Sequence, residues 1–554
     1  MNAFDFIIVG AGTAGCVLAN RLSADPANKV LLLEAGGSDR HASVAMPLAW
    51  FKAFTDPKLG WGYATEPEPY ADQRRIPAPR GKLIGGCSSI NGMMYSRGHA
   101  ADYDRWERAG LSGWGYADVL PYFNRSESNW RGQSAYHGAC GPLSVVKHNT
   151  GNYIYPRLIE AAQQLGYQHL DDFHGAVQEG FGAPDFTIHR GRRGSAAAAF
   201  LRPALDRPNL TVKSGALATR VIVENGRATG VEYRQDGQLQ RVSANQEVVL
   251  SGGAYNSPQL LMLSGIGPAD HLRESGIGVV HDLPGVGANL QEHASIASLY
   301  DASGNFTFDK QLRLDKMTLS VLRWYALGTG PVAGLPVGAM GFLKSVPGLE
   351  LPDVQMLINP VAMDSSLWFP GWKKRRGDVI SVSNVLLRPA SRGWVKLRSA
   401  NPTDKPRIQF NLLKEEGDLV ALRRFVKLTR ELFETTAGSA LVRHEVMPGR
   451  QVQSESEIDA HIRANVRTAM HPTSSCAMGC GADAVLDASL QVRGISGLRV
   501  ADASSMPDII GGNTNAPTMM IAEKAADMIL GRSLPRASLP ARVATIPSDE
   551  HLIA

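Results

Sequence analysis

Apolar and polar positions alternate most tellingly at the start of the chain. Asp5-Phe6-Ile7-Ile8-Val9 is an apolar run. Gly10-Ala11-Gly12-Thr13-Ala14-Gly15 follows, then apolar positions at helical spacing, then Val30-Leu31-Leu32-Leu33 closed by Glu34. The pattern predicts a buried strand, a glycine turn, a helix and a second buried strand ending in a carboxylate, which together make a dinucleotide site out of backbone geometry. Gly10 permits the tight turn, Gly12 lets the main chain approach a pyrophosphate, and Gly15 lets helix and strand pack closely. The pyrophosphate is expected at the helix N-terminus, where free N–H groups and the dipole favour negative charge. Glu34 stands about 20 residues on, where an acid accepts from a ribose hydroxyl. An acid there, rather than an arginine, argues against a 2′-phosphate and for FAD or NAD.

Further along, 246–252 reads as another buried strand ending in glycines, followed by a helical pattern over 254–264. Residues 498–502 form a short apolar strand that leads through Gly511-Gly512 into a helix over about 517–530, with Pro near its start and Gly531 after its end. Strands of one sheet thus come from the beginning, middle and end of the chain. The stretches between them must fold elsewhere. Runs at 353–358, 379–385 and 393–397 read as strands and 418–433 as a helix, which predicts an α+β cap with an antiparallel sheet. The expected class is α/β, a discontinuous Rossmann-like domain with an α+β substrate cap. Its parts are 1–153, 194–300 and 466–532 for the nucleotide domain, 154–193 and 301–465 for the cap, and 533–554 as a tail.

Length and composition narrow the function. A chain of 554 residues exceeds one core. Charged residues make up 20%, and the net charge of +5 is spread along the chain, so nucleic-acid binding is not indicated. Five cysteines without paired spacing suit a reducing compartment, and the cytoplasm is expected. No apolar run reaches the length of a membrane span, and no signal peptide is read at the N-terminus. Trp368-Phe369 and the basic run Trp372-Lys373-Lys374-Arg375-Arg376 read as a solvated loop in preference to a contact with anionic lipid or an electron acceptor. Residues 41–61, with Trp50, Phe51, Phe54 and Trp61, read equally as a lid or as a packed aromatic excursion. No metal site is expected: His471, Cys476 and Cys480 match no usual zinc spacing. No Gly-x-Ser-x-Gly elbow is present to suggest a hydrolase.

Four motifs carry a resemblance over nearly the whole chain. They are Arg80 to Gly92 (Arg-Gly-Lys-Leu-Ile-Gly-Gly-Cys-Ser-Ser-Ile-Asn-Gly), Gly253 to Leu261 running on to Ser264-Gly265-Ile266-Gly267-Pro268, Leu283-Pro284-Gly285-Val286-Gly287 with Asn289, Gln291 and His293, and Asn513-Thr514-Asn515-Ala516-Pro517. In this order they resemble the glucose–methanol–choline oxidoreductases, FAD-dependent enzymes that oxidise alcohols, and within them the choline-dehydrogenase-like bacterial branch. The resemblance implies cofactor contacts from Gly10, Gly12, Thr13, Ala14, Gly15, Glu34, Ala35, Gly85, Gly86, Ser88, Asn91, Gly92, Met93, Val221, Asp502, Ala503, Asn513 and Thr514. The Gly85–Ser89 turn offers successive N–H groups and hydroxyls, a nest for phosphate or flavin edges. Some members attach FAD to a histidine in that loop. Ile90 takes the position here, so FAD is expected to be non-covalent.

His471, in Met470-His471-Pro472, matches the family's catalytic histidine, and imidazole suits the base. Asn515 matches the second catalytic position, holding the substrate oxygen, and it also suits a helix N-cap. Proton abstraction by His471 with hydride transfer to flavin N5 is the implied reaction. The N-terminus of the helix after Asn515 is expected to favour negative charge on reduced flavin. Pro472-Thr473-Ser474-Ser475-Cys476 lacks the glycine usual after the histidine, and Ala469 is expected near the flavin. Choline-oxidising members place a carboxylate where this chain reads Val337-Gly338-Ala339-Met340. The expected substrate is therefore an uncharged primary alcohol, with choline dehydrogenase or a peroxide-forming alcohol oxidase as alternatives, and the electron acceptor a quinone or O2.

Overall fold

The computed structural model describes residues 3–149, 154–373 and 375–539. Two sheets organise it. In the first, Ala3–Val9 lies parallel between Val30–Leu33 and the C-terminal part of Gln238–Leu250, and Leu210–Lys213 extends it beyond Val30–Leu33. Gln238–Leu250 is long enough to serve two neighbours on its other side. Its first half pairs antiparallel with Arg227–Gln235, and its last three residues pair parallel with Leu498–Val500. One strand therefore joins the three sequence parts of the sheet. Ile7, Ile8, Val17, Leu18, Leu31, Leu32, Val249 and Ile521 are fully buried in its core. The apolar runs are continuous rather than alternating because the parallel strands are buried on both faces, with Phe6–Val9 and Val30–Leu33 buried at every residue.

The second sheet has eight strands and is almost wholly antiparallel, running from Val442–Met447 through Ala294–Ala302, Val379–Leu386, Val354–Asn359 and Ala339–Leu343 to Gly180–Gly182. Helix Glu416–Glu434 packs on it through Leu419, Leu422, Phe425 and Val426, a spacing of three and four that buries one helical face. The cap sheet takes in more chain than the sequence suggested. The boundary expected at 300 falls inside Ala294–Ala302, and Arg467–Thr468 pairs with Ser295 and Ala294 although it lies past the boundary at 465. The run at 393–397 is not a cap strand. Trp394–Lys396 forms a separate ribbon with Arg407–Gln409, and Val395 N–H donates to Gly287 O at 2.7 Å.

Part of the expected tail is docked: Leu534 N–H donates to Tyr122 Oη and Ala537 N–H to Ala117 O, while residues 540–554 lie outside the described ones. In the basic run, Arg375 pairs with Asp309 and Asp378, and Arg376 with Asp364. Lys374 lies outside the described residues. Among the described residues no helix is long and apolar enough to cross a membrane.

Candidate active site

A cavity of about 590 Å³ runs from the carboxyl ends of the parallel strands to the face of the cap sheet, the place where open α/β sheets bind ligands. At its nucleotide end the first turn is shaped as expected. Gly10 sits at φ 101°, in the region that favours glycine. A Cβ on Gly15 would fall 1.8 Å from Gly10 O, so helix Thr13–Leu22 can cross its strand only with glycine there. A Cβ on Gly12 would meet only Ser251 O, at 3.8 Å, so the main chain lies open to the cavity. No side chain caps this helix, and its first N–H groups face the cavity beside Gly12, Thr13 and Ala14. Glu34 and Ala35 line the wall next to them. Glu34 is 6% exposed and accepts from Ala11 N–H and Gly36 N–H, while burial pushes its carboxyl up to about 7. Open N–H groups at a helix start and a buried acid at the strand end fit a pyrophosphate and a ribose.

Of the other expected cofactor residues, Gly86, Asn91, Gly92, Met93, Asp502, Ala503, Asn513 and Thr514 also line the cavity, as do Ile90 and Ala469. Four do not. Gly15 is spent on helix–strand packing. Gly85, at φ 85°, donates its N–H to Ala11 O, and a Cβ there would meet Ser89 Oγ at 2.1 Å. The Ser88 hydroxyl turns back into its own loop, donating to Gly85 O and accepting from Ala196 N–H. Val221 is buried behind the wall, with its N–H on Ser264 Oγ at 2.8 Å. An irregularity between Ala218 and Arg220 shifts the strand, and Ala216, Leu217 and Ala218 reach the cavity instead.

At the reactive end the cap sheet sets the geometry. Ala294 pairs with Thr468, and Ala469 N–H donates to His293 O at 2.9 Å. The residues just outside that pairing, His293 and His471, are thereby brought together, with their Nδ1 atoms 3.0 Å apart and their rings edge to face at 85°. Asn513 Nδ2 lies 3.1 Å from His471 Nε2. The amide's orientation is fixed from behind: Gln355 Nε2 donates to Asn513 Oδ1 at 3.1 Å and faces the thioether sulfurs of Met340 and Met94 at 3.3 and 3.6 Å. Two weak acceptors and a carbonyl around one nitrogen identify it as the NH₂ end. Asn513 therefore presents its own NH₂ to His471, whose Nε2 must accept. The His471 proton then sits on Nδ1 and is donated to His293. Burial, the neighbouring His293 and the charge of Arg80 hold His471 well below the ordinary histidine range, so it is neutral near pH 7. Burial likewise pushes His293 to about 4, against the pull of the Ile510 and Leu387 backbone carbonyls, which favour the protonated ring. Glu292 accepts the His471 backbone N–H at 2.7 Å, and burial raises its carboxyl to about 8.

This differs from the sequence expectation in one important respect. Asn513, not Asn515, faces the imidazole. Asn515 Oδ1 accepts from Thr13 Oγ1 at 2.9 Å and so ties the C-terminal helix to the first glycine turn. It is also the first helical residue rather than the N-cap, which is Thr514. Asn515 and Thr518 do line the cavity, so the start of that helix forms part of its wall. Trp50, Phe51, Phe54 and Trp61 line it too. His293, Glu292, Gln355, Arg80 and Ala216–218 carried no assigned role in the sequence. His293 lay within a recurring block, but nothing local marked it as a neighbour of His471.

The fold and the site define a flavin-dependent oxidoreductase with a nucleotide domain and a substrate cap. Models of the GMC oxidoreductase family match residues 4–295 and 389–522, its N- and C-terminal parts. The chain is 46% identical over 542 residues to the mitochondrial choline dehydrogenase of Mus musculus, covering 96% of this chain and 90% of that one. It is 45% identical over 530 residues to an oxygen-dependent choline dehydrogenase of Rhizobium etli, covering 95% and 96%. A structure of Aspergillus oryzae formate oxidase, solved to study FAD modification, superposes with a TM-score of 0.89 at 28% identity over 96% of this chain and 98% of that one. The chain belongs to the GMC oxidoreductase family. Its cofactor is FAD, and it acts on CH–OH donors.

Proposed function

We propose that His471 is the base of an alcohol oxidation and that Asn513, rather than Asn515, is its partner on the substrate oxygen. The observation that carries this reading is the Asn513 Nδ2–His471 Nε2 distance of 3.1 Å together with the hydrogen bonds that orient both groups. An alcohol placed against this pair gives its hydroxyl proton to Nε2, which holds a lone pair because Nδ1–H is committed to His293. The oxygen keeps the Asn513 NH₂ as a donor while its charge develops, and a donor preorganised in this way needs no rearrangement at the moment of reaction. When bound, FAD supplies the two-electron acceptor. Gly12 and the start of helix Thr13–Leu22 would hold its pyrophosphate, Glu34 the ribose, and Ala216–218 the neighbouring wall. The C-terminal helix would turn its positive end toward the reduced cofactor. Ile90 leaves no imidazole for covalent attachment at its position.

A quaternary ammonium would find no unengaged carboxylate among the described residues of this cavity's wall, which favours another alcohol and leaves choline as the alternative substrate. The carboxylates in the wall are Glu34, Asp404 and Asp502, and each is already engaged. Asp404 accepts from Ser399 and Asn401, and Asp502 from Gly253 N–H, Ser257 and Ser504. The cysteines, all five unpaired, are the reason for placing the chain in a reducing compartment, the cytoplasm. The test is a visible spectrum of the purified protein, then anaerobic mixing with a panel of alcohols and re-exposure to O2 or a quinone. Bleaching by an alcohol supports the reading, and the faster reoxidant identifies the acceptor, expected to be other than O2. A protein without flavin absorbance, or a flavin no alcohol reduces, contradicts it.

A further inference from the structure

Arg467 is a charged side chain of the cavity wall that the proposed chemistry leaves unused. Arg467 lines the cavity four residues before His471, on the short strand that pairs with Ser295. It is partly buried, and among the described residues it forms no ion pair with a carboxylate. Its Nη1 faces the Met363 thioether at 4.0 Å. Several cap arginines, among them Arg375, Arg376, Arg423, Arg430 and Arg443, pair with an acid, whereas Arg467 lies in the cavity wall without one. A guanidinium in a cavity wall without a counter-charge is open to an anion that enters the cavity. Burial alone draws this guanidinium down from its ordinary range, with no acid acting on it.

Two more groups in the same wall await partners. Among the described residues, Thr468 Oγ1 and Ser365 Oγ are buried and make no hydrogen bond. The same wall also carries the apolar side chains of Trp50, Leu335, Val337 and Leu357. The wall thus combines a base, apolar side chains, an unpaired guanidinium and unsatisfied hydroxyls.

We propose that the substrate is an alcohol that carries a carboxylate remote from its carbinol, and that Arg467 binds this carboxylate. A planar guanidinium meets a carboxylate through two parallel N–H···O bonds, and the free hydroxyls complete its shell. The sequence had pointed to an uncharged alcohol. The unpaired arginine in the cavity wall moves the choice to an anion. The proposal rests on His471 as base, since that fixes which end of the substrate is oxidised.

The test uses the FAD-loaded enzyme and matched pairs: ω-hydroxycarboxylates of increasing length and hydroxymethylbenzoates, each beside its neutral methyl ester, with choline as the cationic arm. The acid is expected to exceed its ester in kcat/KM by roughly tenfold to a hundredfold, the range for a hydrogen bond to a charged group, with the difference in KM. In Arg467→Gln that ratio collapses toward one, and Arg467→Lys recovers part of it. A non-oxidisable dicarboxylate should raise the melting temperature of the parent and lose this effect in Arg467→Gln. If Arg467→Gln does not fold, the acid-to-ester ratio and dicarboxylate binding of the parent decide. Esters or choline oxidised as well as or better than acids overturn the proposal while leaving the base assignment intact. A flavin that none of the compounds reduces overturns the base assignment as well.

Discussion

Asn513 and Asn515 stand two residues apart in one motif, and replacing each by leucine separates their duties. In Asn513→Leu the donor 3.1 Å from His471 Nε2 disappears, and Gln355 Nε2 keeps only the two thioethers as acceptors. Losing one preorganised donor at a developing oxyanion costs about 2.7–4 kcal/mol of transition-state stabilisation, or roughly 10²–10³ in kcat. Leaving the Gln355 amide under-satisfied costs a further 1–3 kcal/mol or so of folding stability. Asn515→Leu instead breaks the bond to Thr13 Oγ1, a typical hydrogen bond worth about 1 kcal/mol. It should loosen the turn that receives the cofactor while leaving proton transfer to His471 largely in place. Anaerobic rapid mixing with the best alcohol measures flavin reduction in each variant, and bound flavin per chain measures cofactor retention. The expected outcome is a slow, flavin-replete Asn513→Leu and a faster Asn515→Leu that has lost affinity for FAD. If Asn515→Leu is the slower of the two in the reduction step, the reasoning from the Gln355–Asn513–His471 chain fails.

Three further outcomes follow from the same geometry. Gly12→Val should fold yet lose FAD, because a side chain there meets only Ser251 O at 3.8 Å and takes its room from the cavity; Gly15→Ala should not fold, because its Cβ falls 1.8 Å from Gly10 O. Circular dichroism and flavin absorbance distinguish the two. His293→Phe keeps a ring but removes the acceptor of the His471 Nδ1 proton, so the tautomer that can act as base is no longer favoured. About a tenfold loss of the flavin reduction rate is expected, the value of one hydrogen bond of about 1.4 kcal/mol, and a change under twofold would contradict the assigned tautomer. Glu292→Gln tests the raised carboxyl. The folded protein holds a proton that the unfolded chain releases above about 4.5, so this group's favourable contribution is complete below that value and is lost as pH rises toward about 8. The melting temperature of Glu292→Gln should therefore gain on the parent as pH is raised from about 5 to about 8, and a constant difference would refute the shift.

The nucleotide half of the site was readable from sequence because its requirements are local. Gly10, Gly12 and Gly15 are demanded by backbone geometry over six residues, and Glu34 by the length of one βα unit. His471 was readable through its motif. Features set by distant chain were not. Whether Asn513 or Asn515 faces the imidazole is decided by Gln355 and Thr13, which lie 158 and 502 residues away in the chain. His293 becomes a partner of His471 only because Ala294 pairs with Thr468 across the cap sheet. The cap boundary was misplaced for the same reason, since Ala294–Ala302 continues an apolar pattern with no break at 300. Val221 sits on a strand whose irregularity between Ala218 and Arg220 no pattern announces. Arg467 looks like any surface arginine until the fold places it in the cavity wall.

The central claim is that His471 takes the hydroxyl proton. Replacing it with glutamine keeps a polar group of similar reach without a titratable base, and the measurement is the anaerobic rate of flavin reduction by the best alcohol in a variant that retains its FAD. A fall of roughly 10²–10⁴-fold, the range for a positioned general base, is the predicted result. An unaltered rate in flavin-replete His471→Gln would contradict it.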